Sequence, residues 1–98
     1  MPGSHHLVAL TGEIEVGMVS GVITETICKI IRMWVDPIAR GRGVGSALVA
    51  GVERWALGAG VEALHLSVSE GNEAAAALYR RCGFEDVGKR CMVKQFDR

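Results

Sequence analysis

Ninety-eight residues, 49% of them apolar, are enough for one small packed domain and exclude a disordered chain. Eleven basic side chains balance eleven acidic ones, so neither nucleic acid nor a charged membrane is expected as a partner, and any anion site must be local. Cys28, Cys82 and Cys91 show no C-x-x-C spacing, which argues against a disulfide framework or a metal and for a reducing, cytoplasmic setting; no apolar run approaches the roughly 20 residues of a membrane span.

Residues 1–6 (Met1-Pro-Gly-Ser-His-His6) read as an expression-tag remnant or a disordered tail, leaving 7–98 as a single domain. Leu7–Leu10 stops at Thr11-Gly12, and Ile14–Ile23 is rich in β-branched residues, which together predict an antiparallel hairpin. Cys28–Val35 alternates, with Ile31, Met33 and Val35 on one face and Ile30, Arg32 and Trp34 on the other. Asp36-Pro37 ends that strand, because proline lacks the donor a ladder needs.

A glycine-rich turn follows, then a helix from Val44 to Leu57 with Val44, Leu48, Val52 and Trp55 on one stripe. Ala63–Val68 reads as a strand with Leu64, Leu66 and Val68 inward. Asn72 is a good N-cap for a helix over Ala74–Cys82 that Gly83 closes. Phe84–Val87 and Cys91–Phe96 predict a terminal hairpin turning at Gly88-Lys89. The order implies a mixed, mostly antiparallel sheet with one right-handed parallel strand–helix–strand crossover and helices packed on it.

The turn reads Arg40-Gly-Arg-Gly-Val-Gly45. A helix N-terminus exposes unpaired N–H groups and about half a positive charge, and glycines let those groups face a ligand without a Cβ in the way. That suits a pyrophosphate cradle with Arg40 and Arg42 at its rim; a flexible turn that only starts a helix would show the same glycines. G-x-x-x-x-G-K-[ST] is absent, and Gly41-x-Gly43 lacks the third glycine, at Ser46, of a dinucleotide fingerprint.

Arg40–Gly45 resembles the Arg/Gln-x-x-Gly-x-Gly/Ala signature of the Gcn5-related N-acetyltransferase (GNAT) superfamily. "MWVDPIARGRGVG" resembles that family's fourth strand and following loop, and "LHLSVSEGNEAAAALYRRCGF" its fifth strand and next helix, with Asn72 and Tyr79 seven apart. The resemblance, from about Val16 to Phe96, implies the GNAT fold and acetyl-CoA as cosubstrate, with no metal. It implies that the backbone of Met33, Trp34 and Val35 pairs with the pantetheine arm where the fourth and fifth strands part. Arg40, Gly41, Arg42, Gly43, Val44 and Gly45 would then hold the pyrophosphate, Asn72 would touch the pantetheine or phosphate region, and Tyr79 would act at the thioester sulfur.

Two features depart from the family pattern. The usual leading strand and two helices are not seen ahead of Leu7, so either the member is compact or a segment lies outside this sequence; a second copy or that segment is expected to cover the exposed apolar surface. Relatives that acetylate ribosomal-protein N-termini carry a glutamate where Ser67 stands, which leaves Glu25, His65 and Glu70 as candidate bases. An α-amine of pKa near 8 is roughly a tenth neutral at pH 7, against about one part in 2,500 for lysine, so an α-amine or small amine needs less help. The expected activity is acetyl transfer, directly and without an acyl-enzyme, to a primary amine of a small molecule or peptide; a non-catalytic acyl-CoA-binding module is the alternative.

Overall fold

The computed structural model describes residues 3–88 and 90–96. Strands β1 (Ser4–Thr11), β2 (Ile14–Thr24) and β3 (Ile27–Val35) lead through a 3-10 turn, Pro37–Ala39, into helix α1 (Val44–Gly58). β4 (Ala63–Ser67), α2 (Glu73–Arg81), β5 (Glu85–Gly88) and β6 (Cys91–Gln95) complete the chain. The six strands form one sheet in the order β1-β2-β3-β4-β6-β5, and β3 with β4 is its parallel pair. The mixed sheet with a single parallel crossover is therefore present as expected; the turn expected at Gly88-Lys89 involves Lys89, which lies outside the described residues.

Apolar periodicity decides which sheet face is covered. Leu48, Val49, Val52 and Ala56 of α1 are buried against Val19, Cys28, Ile30, Leu64 and Leu66. Burying each such valine or leucine stabilises the fold by roughly 1.5–3 kcal/mol before ordering costs. α2 lies beside α1, since a Cβ on Gly45 would come within 2.9 Å of Leu78 Cδ2. Lys94 of β6 ties the two helices, its Nζ donating to Glu53 Oε1 on α1 and to the Cys82 carbonyl at the end of α2, both at 2.8 Å. Burial pushes the Cys28 thiol up to about 11, so it behaves as a small apolar core residue.

Three expectations need correction. β1 begins at Ser4, so Ser4–His6 belongs to the sheet rather than to a tail. His5 stacks on Trp55 of α1 at 4.9 Å, and Leu7 lies over Gly51, so the strand is held by the same helix that covers the core. The alternation in β3 is not continuous. Ser20 pairs with Arg32 but Gly21 pairs with Ile30, so Ile31 is an extra residue, a bulge. Cys28 and Ile30 face the core before it, and Met33 and Val35 face that same side after it. β4 ends at Ser67, one residue before the expected Val68.

Gly17 sits where β2, β3 and α1 converge: a Cβ there would lie 2.9 Å from the Trp34 carbonyl oxygen and 3.2 Å from Leu48 Cδ1. Gly17→Val should destabilise the protein by about 1–3 kcal/mol through overpacking. Gly58→Ala, in α1 with nothing within 4 Å of the new Cβ, should stabilise it by about 0.4–1 kcal/mol. Urea midpoints check both; equal midpoints for the two variants would contradict this packing.

Candidate active site

The bulge at Ile31 is where two strands part. The parallel ladder runs from Ile27–Ala63 to Ile30–Leu66 and stops there. Beyond it β3 stays with β2, through Arg32–Ser20, Trp34–Met18 and Val35–Gly17. β4 stays with β6 through Leu66–Met92 and Ser67–Cys91, and Val68 N–H donates to the Arg90 carbonyl. The C-terminal half of β3 therefore has an open edge. Asp36 N–H donates to the Val16 carbonyl at 2.7 Å, and ladder directions alternate, so Trp34's peptide groups also point at β2. Met33 and Val35, and not Trp34, aim their N–H and C=O at the gap. Arg40 Nε donates to the Val35 carbonyl at 3.2 Å, which folds the glycine turn back against this edge.

Beyond the gap lies a cavity of about 680 Å³. Ten of the eleven residues singled out in the sequence line it: Met33, Trp34, Val35, Arg40, Gly41, Gly43, Val44, Gly45, Asn72 and Tyr79. Arg42 is exposed and is not among the lining residues.

The turn presents its backbone to that space. Gly41 (φ 79°) and Gly43 (φ 80°) adopt the left-handed conformation that suits glycine, and nothing stands within 4 Å of where either Cβ would be. Gly43 is the N-cap of α1; it makes no side-chain cap bond, and the first turn holds no acid. The leading N–H groups of a 15-residue helix are thus left to solvent and the cavity. Asn72 spends its Oδ1 on the N-cap of α2, accepting from Ala75 N–H at 3.2 Å, and its amide Nδ2 has no partner among the described residues.

Tyr79 is 5% exposed, with its ring edge-on to Phe84 at 5.6 Å. Among the described residues its hydroxyl has no hydrogen-bond partner, yet no sealed side-chain oxygen or nitrogen is left unsatisfied. The hydroxyl therefore reaches solvent, and the cavity that Tyr79 lines is its outlet. Burial, and secondarily the neighbouring Cys82, push this phenol above its ordinary value near 10.

The residues that line the cavity come from both faces of the sheet. Gly17 and Gly21 turn toward α1 residues, so Ser20 and its cross-strand partner Arg32 face the opposite, helix-free side, as does Trp34. Ser67 alternates with the buried Leu66 and faces that side too. Among the described residues no Asp, Glu, His or Lys lines the cavity. Of the three candidate bases, Glu70 pairs with Arg90 at 2.8 Å, Glu25 occupies the β2–β3 turn at φ 58°, and His65 lies within β4. Ser67, where relatives carry a glutamate, is at the far mouth; Arg32 beside it was not legible as a site residue, because the bulge decides which β3 side chains reach the gap. Among the described residues no group of three His, Cys, Asp or Glu is placed to hold a metal, and no helix is long and apolar enough to cross a membrane.

A splayed parallel pair beside a glycine-initiated helix defines the acyl-CoA N-acyltransferase class of fold. The chain matches the model of the Acetyltransferase (GNAT) family over residues 1–84 and belongs to that family. It is 34% identical over 93 residues to the N-alpha-acetyltransferase RimI of Mycobacterium tuberculosis, covering 91% of this chain and 57% of that protein. An acetyltransferase of Pectobacterium atrosepticum is 33% identical over 78 residues, 80% of this chain and 55% of the other. The chain thus spans little more than half the length of either relative. The fold is shared with the PaiA N-acetyltransferase of Thermoplasma acidophilum, solved with coenzyme A, at a TM-score of 0.88 and 20% identity, over 96% of this chain and 62% of that one. The ribosomal-protein-S18-alanine N-acetyltransferase of Escherichia coli gives 0.87 at 20% identity, over 98% and 71%.

Tyr79 is the one tyrosine in the sequence, so its titration can be read directly by ultraviolet absorbance. The native midpoint should lie above 10, and that of the urea-unfolded chain near 10. Because the folded value is raised, the associated stability is fully present below pH 10 and is lost as pH rises through the native midpoint. A native midpoint at or below 10 would contradict the buried setting.

Proposed function

We propose that this chain is an acetyl-CoA-dependent N-acetyltransferase that passes an acetyl group directly to a primary amine of a small molecule or peptide. The observation that carries this is the meeting, in one cavity, of an open strand edge, an uncapped glycine-initiated helix and a tyrosine hydroxyl. The edge groups of Met33 and Val35 suit the amide-bearing pantetheine arm. The turn from Arg40 to Gly45 suits its pyrophosphate, with Arg40, Gly41 and the leading α1 N–H groups as donors, Val44 and Gly45 continuing the helix start, and Arg42 supplying charge from outside the cavity. Asn72 offers its amide Nδ2 beside them.

Acetyl-CoA supplies an activated acyl carbon: a carbon–nitrogen bond forms there as the carbon–sulfur bond breaks. Tyr79 would hydrogen-bond the departing sulfur, and one amine proton would leave to water. A backbone N–H of β3 at the gap would polarise the carbonyl oxygen. With no carboxylate or imidazole among the described residues that line the cavity, the site suits an amine of low pKa. That same lack favours the second reading, a non-catalytic acyl-CoA-binding module. Thiol release from acetyl-CoA across a panel of amines, peptides and polyamines separates the two; binding without turnover on any of them would leave the module.

Two substitutions test the roles. Gly43→Val puts a branched side chain into the empty space of the turn and strains a φ of 80°. CoA affinity should fall at least about tenfold with the circular dichroism spectrum retained; unchanged affinity by calorimetry would remove the cradle. Tyr79→Phe keeps the ring against Phe84 and loses only the hydroxyl. It should hold CoA affinity and lower kcat at least about tenfold, the low side of a positioned acid's contribution. Full turnover by this variant would mean that water or another group answers the departing sulfur.

We also propose that a second copy covers the outer hairpin, where Val8, Leu10 and Ile14 are 48%, 59% and 69% exposed. Light scattering at micromolar concentration should give a dimer; a monomer would refute this.

A further inference from the structure

The helix-free mouth of the cavity has a charge of its own. Arg32 stands there beside Trp34 and Ser67, on the face away from the glycine turn. Its cross-strand neighbour Ser20 is fully buried and bonded to His6 Nδ1 at 2.6 Å, so neither offers Arg32 a negative partner. Among the described residues the Arg32 guanidinium makes no ion pair or hydrogen bond, and neither does that of Arg81, which also lines the cavity, whereas Arg80 pairs with Asp86 and Arg90 with Glu70. Phosphates held at the Arg40–Gly45 turn would lie on the other side of the sheet and would not answer this guanidinium. An uncompensated cation at the mouth by which an acceptor would enter repels a polycation, and among the described residues no acid lines the cavity to offset it.

We propose that the acceptor is an amine whose own molecule carries a carboxylate, of the α-amino-acid type, and that Arg32 reads that carboxylate. The proposal rests on the acetyltransferase reading above. A guanidinium and a carboxylate form a two-point, charge-assisted pair, which would fix the acceptor with its amine turned into the gap. Trp34 gives the acceptor a flat apolar wall at 44% exposure. The same charge helps with the missing base. The acceptor's carboxylate favours its neighbouring ammonium, and pairing with Arg32 offsets that pull, so the bound amine reaches the neutral form that attacks more readily than in the free amino acid.

The test compares the standard α-amino acids with their carboxamides and with spermidine, by thiol release from acetyl-CoA and by calorimetry of the N-acetyl products on CoA-saturated protein. At least one amino acid should exceed its carboxamide about tenfold or more in kcat/KM, with spermidine poorest. Its N-acetyl product should bind correspondingly tighter than the uncharged analogue. Arg32→Gln should bring the carboxylate-to-carboxamide ratio toward one in both measurements, while CoA affinity is held. Carboxamides or spermidine matching the amino acids, or no N-acetyl amino acid binding the CoA-saturated protein, would overturn the proposal. Loss of CoA binding by the parent protein, read in the same calorimeter, would instead strike the acetyltransferase reading.

Discussion

Everything that resembles a site in this protein depends on one broken ladder. β3 and β4 pair for four residues and then separate, because each has a stronger commitment on its other side. Leaving strand N–H and C=O groups unpaired is costly unless solvent or a ligand answers them. The bulge at Ile31 makes the separation tolerable. It keeps Cys28 and Ile30 in the core and still returns Met33 and Val35 to the same side, so the apolar cluster is continuous across the irregularity. An unbroken alternation would have put Arg32 where Met33 now packs.

The second constraint is the uncapped start of α1. α2 shows the ordinary solution, with the Asn72 side chain capping its first turn and Glu73 complementing its dipole. α1 has neither, and has glycine at the capping position. A serine, aspartate or asparagine cap contributes about 0.5–2 kcal/mol relative to alanine, so forgoing one on the longest helix is a cost with no structural return. Placed beside an open strand edge and an arginine, it is what a backbone-mediated anion site requires.

How much of this the sequence revealed follows from how local each cause is. Helix ends, the Asn72 cap and the glycine turn are written in a few neighbouring residues; the cap and the turn fall where the sequence places them, and the helix ends within one residue. The parallel crossover followed from strand–helix–strand order. The bulge was hidden, because Ile30-Ile31-Arg32-Met33 is a fair alternation by itself and only the register of β2 inserts the extra residue. β1 was shortened for a similar reason: His5 looks like a tag residue until Trp55, 50 positions later, is found stacked on it. Leu7 and Ala9 continue the same face as His5, the one signal that could have extended the strand.

The electrostatics of the cavity bear on how acetyl transfer would proceed here. An ordinary thiol near 8.5 and an ordinary phenol near 10 make full proton transfer uphill by about 2 kcal/mol. Burial of Tyr79 raises its pKa and steepens that climb. Complete donation is therefore the weaker description, and a hydrogen bond from an intact phenol to a sulfur gaining charge is the stronger one. Cosubstrate filling the cavity through which the hydroxyl meets solvent would keep that bond out of competition with water, which increases its value as charge develops. Tyr79 would thus act by position rather than acidity, just as arginine at the opposite mouth would favour a neutral amine by charge rather than by accepting its proton.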